Sequence, residues 1–108
     1  MDRLDWKSYE MQADVLKALG HPLRLAVADV LRGGECCVCD IAERLGAERS
    51  NVSRHLSLMQ RAGVLDARKE GLRVIYSLAT PCVLNFFQCV GGVLRDRARQ
   101  DQAALQRL

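Results

Sequence analysis
The chain has 108 residues, 49% of them hydrophobic, so it can build one domain with a modest core and is too apolar for global disorder. Its net charge of +3 is mild, and no apolar run approaches membrane-spanning length. The start, M-D-R-L-D-W-K, is acidic and polar and unlike a secretory signal, so a cytoplasmic location with five reduced cysteines is expected.

Residues 1–17 read as an amphipathic first helix, with Trp6, Tyr9, Ala13 and Leu16 at near-helical spacing and fraying over 1–8. A-L-G-H-P at Ala18–Pro22 breaks it: Gly20 suits a helix end and Pro22 the first turn of the next helix. Leu23, Val27, Val30 and Leu31 form an i, i+4, i+7, i+8 stripe that stops at Gly33-Gly34. Cys36-Cys37-Val38-Cys39 enters a short helix, Asp40–Gly46, ended by its glycine. The stretch Ser50–Gly63 predicts a helix with Val52, Leu56 and Met59 on one face. Its other face carries Ser53, Arg54, His55, Ser57 and Arg61. Val64–Leu65 predicts a short strand, Arg68–Gly71 a charged turn, and Val74, Tyr76 and Leu78 a returning strand. Thr80-Pro81 supplies N-cap and N1 signals for a last helix with Val83, Phe86, Phe87, Val90, Val93 and Leu94 on its stripe. Gly91-Gly92 weakens that helix locally, and the polar tail over 98–108 is expected to fray. Neither a linker nor a repeat divides the chain, so 1–108 reads as a single domain.

Two short helices joined by a three-to-four-residue turn predict a helix-turn-helix, whose second helix enters the DNA major groove. The hairpin behind it is a wing. The expected fold is therefore mainly α with a small β-hairpin wing, a winged helix-turn-helix. Between Arg49 and Arg73, six basic residues face two acidic ones, the electrostatic footprint of a phosphate-binding surface. Ser50, Asn51, Ser53, Arg54 and His55 sit at the start or on the polar face of the second helix. Arg54 suits guanine N7/O6 and Asn51 adenine N6/N7. Arg49, Lys69 and Arg73 suit phosphate contacts, although each alone also reads as a solvated surface charge. His55 also reads as buried under the helix with one hydrogen bond. One such domain covers little DNA, so a two-fold dimer on an inverted repeat of double-stranded operator DNA is expected.

Five motifs carry a resemblance. They are A-L-G-H-P-L-R-L at Ala18–Leu25, E-C-C-V-C-D-I-A at Glu35–Ala42, S-N-V-S-R-H-L at Ser50–Leu56, A-G-V-L at Ala62–Leu65 and R-K-E-G-L-R-V-I-Y-S-L at Arg68–Leu78. In this order the chain resembles the ArsR/SmtB family of metal-sensing winged helix-turn-helix repressors, and within it the arsenic repressors. The resemblance implies a homodimer built largely from the first and last helices, and a repressor, not an enzyme, that leaves its operator when an inducer binds. Cys37-Val38-Cys39-Asp40 matches the family's thiolate box, which implies As(III) or Sb(III) as inducer, with Cd(II) or Pb(II) as alternatives. Soft thiolates suit all of these ions. The third cysteine of the arsenic pattern falls here on Ala42. The N-terminal cysteines of the cadmium/lead pattern are missing from Met1–Leu19, and the last helix has no histidine for the zinc pattern.

Sulfurs that share an ion lie within roughly 4 Å of each other, as Zn–S lengths near 2.3 Å imply. Residues two apart in a regular helix point about 200° apart. Cys37 and Cys39 therefore share an ion only where the helix start is irregular or unwinds, and such distortion would tilt Ser50–Gly63 and lower DNA affinity. Cys36 is the first choice for a third thiolate, with Cys82 or Cys89 as the other sources; on an intact helix those two lie about 10 Å apart. Cys82, at a helix N-terminus, is expected to be reactive. Cys89 also reads as a core residue beside Phe86 and Val93. The competing function is a thiol-redox or persulfide switch joining Cys37 or Cys39 to Cys82 or Cys89. A thiol enzyme is disfavoured, because no base sits at a readable distance from a cysteine nucleophile.

Overall fold
The computed structural model describes residues 5–108. Helix α1 (Trp6–Lys17) is followed by α2 (Pro22–Leu31), strand β1 (Cys36–Cys37), α3 (Val38–Leu45) and α4 (Arg49–Arg61). Strands β2 (Leu65–Glu70) and β3 (Arg73–Leu78) come next, and a 3-10 turn (Pro81–Leu84) leads into α5 (Asn85–Gln106).

Local sequence explains most of these boundaries. The Asp5 carboxylate accepts from the Ser8 N–H at 3.2 Å and caps α1. Residues 1–4 of the segment expected to fray lie outside the described residues, while Trp6–Ser8 are helical. His21 caps α2, its Nδ1 accepting from the Leu23 N–H at 3.1 Å, and Pro22 occupies the first turn as its spacing predicts. α3 stops at Gly46, whose φ of 62° places it in the left-handed region where a side chain is strained.

The core forms where the apolar stripes converge. Val52, Leu56 and Met59 of α4 are fully buried, together with Val27 of α2 and Ile41 of α3. Leu31, Val64, Leu65, Tyr76 and Val83 complete the cluster. Each fully buried Val, Leu or Met side chain stabilises the fold by about 1.5–3 kcal/mol. This packing fixes the angle between α3 and α4.

The wing is larger than the expected hairpin. Its sheet has three antiparallel strands in the order β1-β3-β2. Cys36 pairs with Tyr76 and Cys37 with Ile75, so the residues before α3 cover an edge of β3 that a two-stranded wing would leave open. The expected turn at Arg68–Gly71 is corrected too. Arg68, Lys69 and Glu70 continue β2, and Glu70 pairs with Arg73 across a two-residue loop, Gly71-Leu72. Gly71 has φ 64°, the first-position glycine of a type II′ hairpin turn, which matches the strand twist.

The C-terminal end differs as well. Thr80 makes no side-chain capping bond, and Pro81–Leu84 is a 3-10 turn rather than the first turn of α5. Helix α5 then runs to Gln106, through the tail expected to fray. Neither α1 nor α5 buries any of its own residues. Trp6, Phe86, Val90, Val93 and Leu94 are all exposed. The radius of gyration is 17.5 Å, against about 13 Å for a compact domain of about 100 residues. The two terminal helices thus project from the core, and Leu16, Leu25, Phe86, Val90 and Leu94 line a shared apolar groove.

Candidate nucleic-acid interface and thiol site
The α3–α4 pair presents the start of α4 to solvent. Arg49, Ser50 and Arg54 are exposed, and Asn51 and Ser53 are half-buried on the same polar side. Arg54 Nη2 donates to Asn51 Oδ1 at 3.1 Å, so two residues suited to reading bases already hold each other in place. Ser50 Oγ donates to Glu48 Oε1 at 2.6 Å, just outside the helix. Lys69 is exposed on β2, toward the wing tip. Arg68 beside it is committed elsewhere: its guanidinium pairs with Glu35 in a two-pronged contact and with Glu70 at 2.9 Å. That pairing holds the Glu35 carboxyl below the usual carboxylate range.

His55 points away from the reading surface. Its ring lies 4.5 Å from that of His21, tilted by 42°, and is half-buried. Burial first, then the neighbouring charges of His21, Arg24 and Arg54, push its pKa below the ordinary histidine value. His55 packs against His21 with intermediate burial, and among the described residues its ring makes no hydrogen bond of the kind the buried reading expected.

The thiol site lies where β1 becomes α3. Cys37 is the N-cap of α3, with extended backbone (φ −81°, ψ 162°), and its side chain is buried. Cys39 is the second residue of the helix and half-buried. Because Cys37 is still strand-like, the 200° separation expected within a helix does not apply. The two sulfurs lie 3.3 Å apart with no unwinding. Of the two conditions expected for sharing an ion, an irregular helix start or unwinding, the structure has the first: Cys37 stands at the extended N-cap of α3.

Asp40 is the third member of the cluster; the ligand atoms of Cys37, Cys39 and Asp40 all lie within 4.8 Å of one another. Cys36, the first choice from sequence, is not among them. It precedes Cys37 in β1, and successive strand side chains point to opposite faces. Cys82 and Cys89 are exposed and also outside the cluster. Cys82 stands in the four-residue 3-10 turn rather than at an α-helix start, and Cys89 is not the core residue its neighbours suggested.

Arg73 reaches into this cluster. Its Nη2 donates to Cys37 Sγ at 2.9 Å and lies 3.5 Å from Asp40 Oδ2. The guanidinium, aided by the Asp40 backbone N–H, holds the Cys37 thiol below the ordinary thiol range, against the opposing effect of burial. A cleft of about 600 Å³ opens in front of the two sulfurs, between the wing and the start of α4.

Comparison with known proteins decides the family. The sequence model described as "Bacterial regulatory protein, arsR family" matches residues 21–67. An HTH-type transcriptional regulator of Methanocaldococcus jannaschii is 34% identical over 85 residues, 78% of this chain and 96% of that protein. The chain belongs to the ArsR family. As an ArsR-family protein it is a DNA-binding transcriptional regulator and not an enzyme. A solved homodimeric winged helix-turn-helix domain from Mycobacterium bovis has 31% identity and a TM-score of 0.75, covering 91% of this chain and 93% of that one. The antimony-specific transcriptional repressor AntR has 28% identity and a TM-score of 0.74, covering 93% and 90%.

Three features of this ArsR-family site were not read from sequence. Asp40 carried a signal, since it stands three residues after the N-cap, where a side chain turns back toward the helix start. Arg73 carried none, because 36 residues separate it from Cys37. The His21–His55 contact joins two helices that only the core brings together.

Proposed function
We propose that this ArsR-family chain is a repressor that binds an inverted-repeat operator as a homodimer and leaves it when Cys37 and Cys39 take a trivalent metalloid, As(III) or Sb(III). The observation that carries this reading is the 3.3 Å separation of the two sulfurs at the N-cap of the helix that braces α4. With metal–sulfur bonds of about 2.3 Å, near-right angles at the ion give about 3.3 Å between sulfurs, whereas a tetrahedral ion gives about 3.8 Å. The spacing lets both sulfurs reach one ion, pyramidal or tetrahedral, with only small side-chain adjustment. Resemblance to AntR, described as antimony-specific, supports the metalloid class of ion.

Coupling to DNA runs through Arg73. This wing residue is bonded to Cys37 Sγ. When Cys37 and Cys39 bind an ion, the ion competes with Arg73 for the Cys37 sulfur and weakens this side-chain link between the wing and α3, while the β1–β3 pairing stays. The exposed apolar faces of α1 and α5 supply the dimer contact.

A second reading, the thiol-redox switch, rests on the same pair rather than on the expected link to Cys82 or Cys89, which lie outside the cluster. A thiol with lowered pKa beside another sulfur is suited to oxidation, the two thiols giving up two electrons and two protons to peroxide, which leaves as water. Fluorescence anisotropy of a labelled upstream duplex with fully reduced protein tests both. Release at about one arsenite per chain, abolished by Cys37→Ser or Cys39→Ser, is the expected result. Release by peroxide alone would move the protein to the redox class, and release by cadmium alone to the softer thiolate sensors.

A further inference from the structure
Away from the thiols, the start of α2 meets the middle of α4 at two imidazoles. The His21 and His55 rings lie 4.5 Å apart, tilted by 42°. His21 Nδ1 accepts from the Leu23 N–H at 3.1 Å, so that nitrogen carries no proton. One ring thus caps α2 and touches the reading helix at the same time. The charged groups acting on His55 are His21 and Arg24 from α2 and Arg54 from its own helix, all of them basic. Among the described residues no carboxylate of α2, α3 or β2, the elements packed on α4, is one of them. Nor does a third metal-ligating group stand beside the pair. The joint also has two arms. Arg24 Nη2 donates to the Lys17 carbonyl at the end of α1 at 3.2 Å, and Arg54 holds Asn51, its partner in base reading, at 3.1 Å.

We propose that the His21–His55 contact is a proton-operated joint: a proton on either ring drives α2 and α4 apart, misplaces Arg54 and Asn51, and releases the operator in acid without any inducer. A proton added to His21 goes to Nδ1, which then no longer accepts from the Leu23 N–H, and the cap of α2 is lost. A proton added to His55 sets an imidazolium among His21, Arg24 and Arg54 with no acid to offset it. The binding-competent form therefore holds both rings neutral. Affinity is full above the ordinary histidine value of about 6.5 and is lost as pH falls through the lower folded value of His55. The sign is diagnostic, because added positive charge by itself strengthens contact with phosphates.

The test follows anisotropy of the labelled upstream duplex between about pH 7.5 and about pH 5.5, a range that brackets the histidine value. Reduced full-length protein is used with no arsenite or metal, and circular dichroism is recorded on the same samples. The parent is expected to lose about tenfold in affinity toward acid, with its helical signal intact. His21→Asn keeps a capping acceptor and removes one titrating ring, and His55→Gln removes the other. Each is expected to bring the acid-to-neutral affinity ratio to within about twofold of unity. His21→Asp still caps α2 and gives the His55 imidazolium a partner, so it too is expected to abolish the acid loss. A parent affinity that stays level or rises in acid would overturn the inference. So would an acid loss that survives in all three variants, or one that tracks a falling helical signal, which would make it global unfolding. None of these outcomes touches the metalloid reading, whose arsenite titration is made at neutral pH.

Discussion

The Arg73 guanidinium crosses from the first residue of β3 to donate a hydrogen bond to Cys37 Sγ, the N-cap of α3, at 2.9 Å. This contact joins the wing to the helix that positions α4. It also holds the Cys37 thiol below the ordinary thiol range. For a thiol with a depressed pKa, the favourable contact is fully present above the ordinary thiol value and is lost as pH falls through the lowered one. Replacing Arg73 with Ala is expected to move the pH midpoint of Cys37 alkylation upward and to slow the reaction near neutrality. Arg73→Lys, which keeps charge but not the planar fork, is expected to restore part of the shift. An unchanged alkylation profile in the alanine variant would remove Arg73 from the site.

The bonded pair Arg54 and Asn51 predicts a different DNA phenotype from Lys69. Arg54→Ala or Asn51→Ala is expected to weaken operator binding by about 1–3 kcal/mol while barely affecting unrelated DNA, because each removes base readout. Lys69→Ala is expected to weaken both duplexes alike and to lower the salt slope by about 1. Anisotropy titrations at several salt concentrations separate the two patterns; a uniform loss from Arg54→Ala would make Arg54 a phosphate contact.

The His21–His55 contact predicts acid sensitivity. The His55 pKa is lowered chiefly by burial, so its neutral form is favoured in the folded state. A base depressed in this way contributes stability that is present above its unfolded pKa, about 6.5, and is lost as pH falls through the folded value. Thermal midpoints are expected to drop on acidification below about pH 6.5. His55→Gln is expected to flatten that dependence. A variant with the same pH slope as the parent would place the sensitivity elsewhere.

The exposed faces of α1 and α5 predict self-association. Phe86 and Val90 project from a helix that buries none of its own residues. Val90→Asp, alone or with Phe86→Asp, is expected to give monomers in analytical ultracentrifugation with an unchanged helical circular dichroism spectrum. Operator affinity should fall with it, since a single domain covers one half-site. A dimer that survives both changes would exclude this face.

Leu56, a fully buried member of the core cluster, sets the scale for the core. Leu56→Ala is expected to cost about 2–5 kcal/mol in urea unfolding, a large share of the stability of a domain this size.

What the residues determined unaided is what depends on neighbours along the chain. The stripe Val52, Leu56, Met59, the His21-Pro22 start of α2 and the turn at Gly46 are local patterns, and each element they predict is present. The family resemblance was equally legible, since five motifs stand in order along one chain. Boundaries failed where pairing overrode local signal: Arg68–Glu70 looks like a charged turn and is a strand, because β3 supplies its partners.

The thiol site was decided by tertiary structure. Whether Cys37 and Cys39 share a face depends on where the strand ends and the helix begins, and that boundary is set by pairing with Tyr76 and Ile75, nearly forty residues on. The same alternation along β1 turns Cys36 to the other face. Arg73 reaches Cys37 only because the sheet closes with β1 on the edge of β3. Periodicity tells which side of an element is apolar; it cannot tell which distant side chain the packed core will bring to the other.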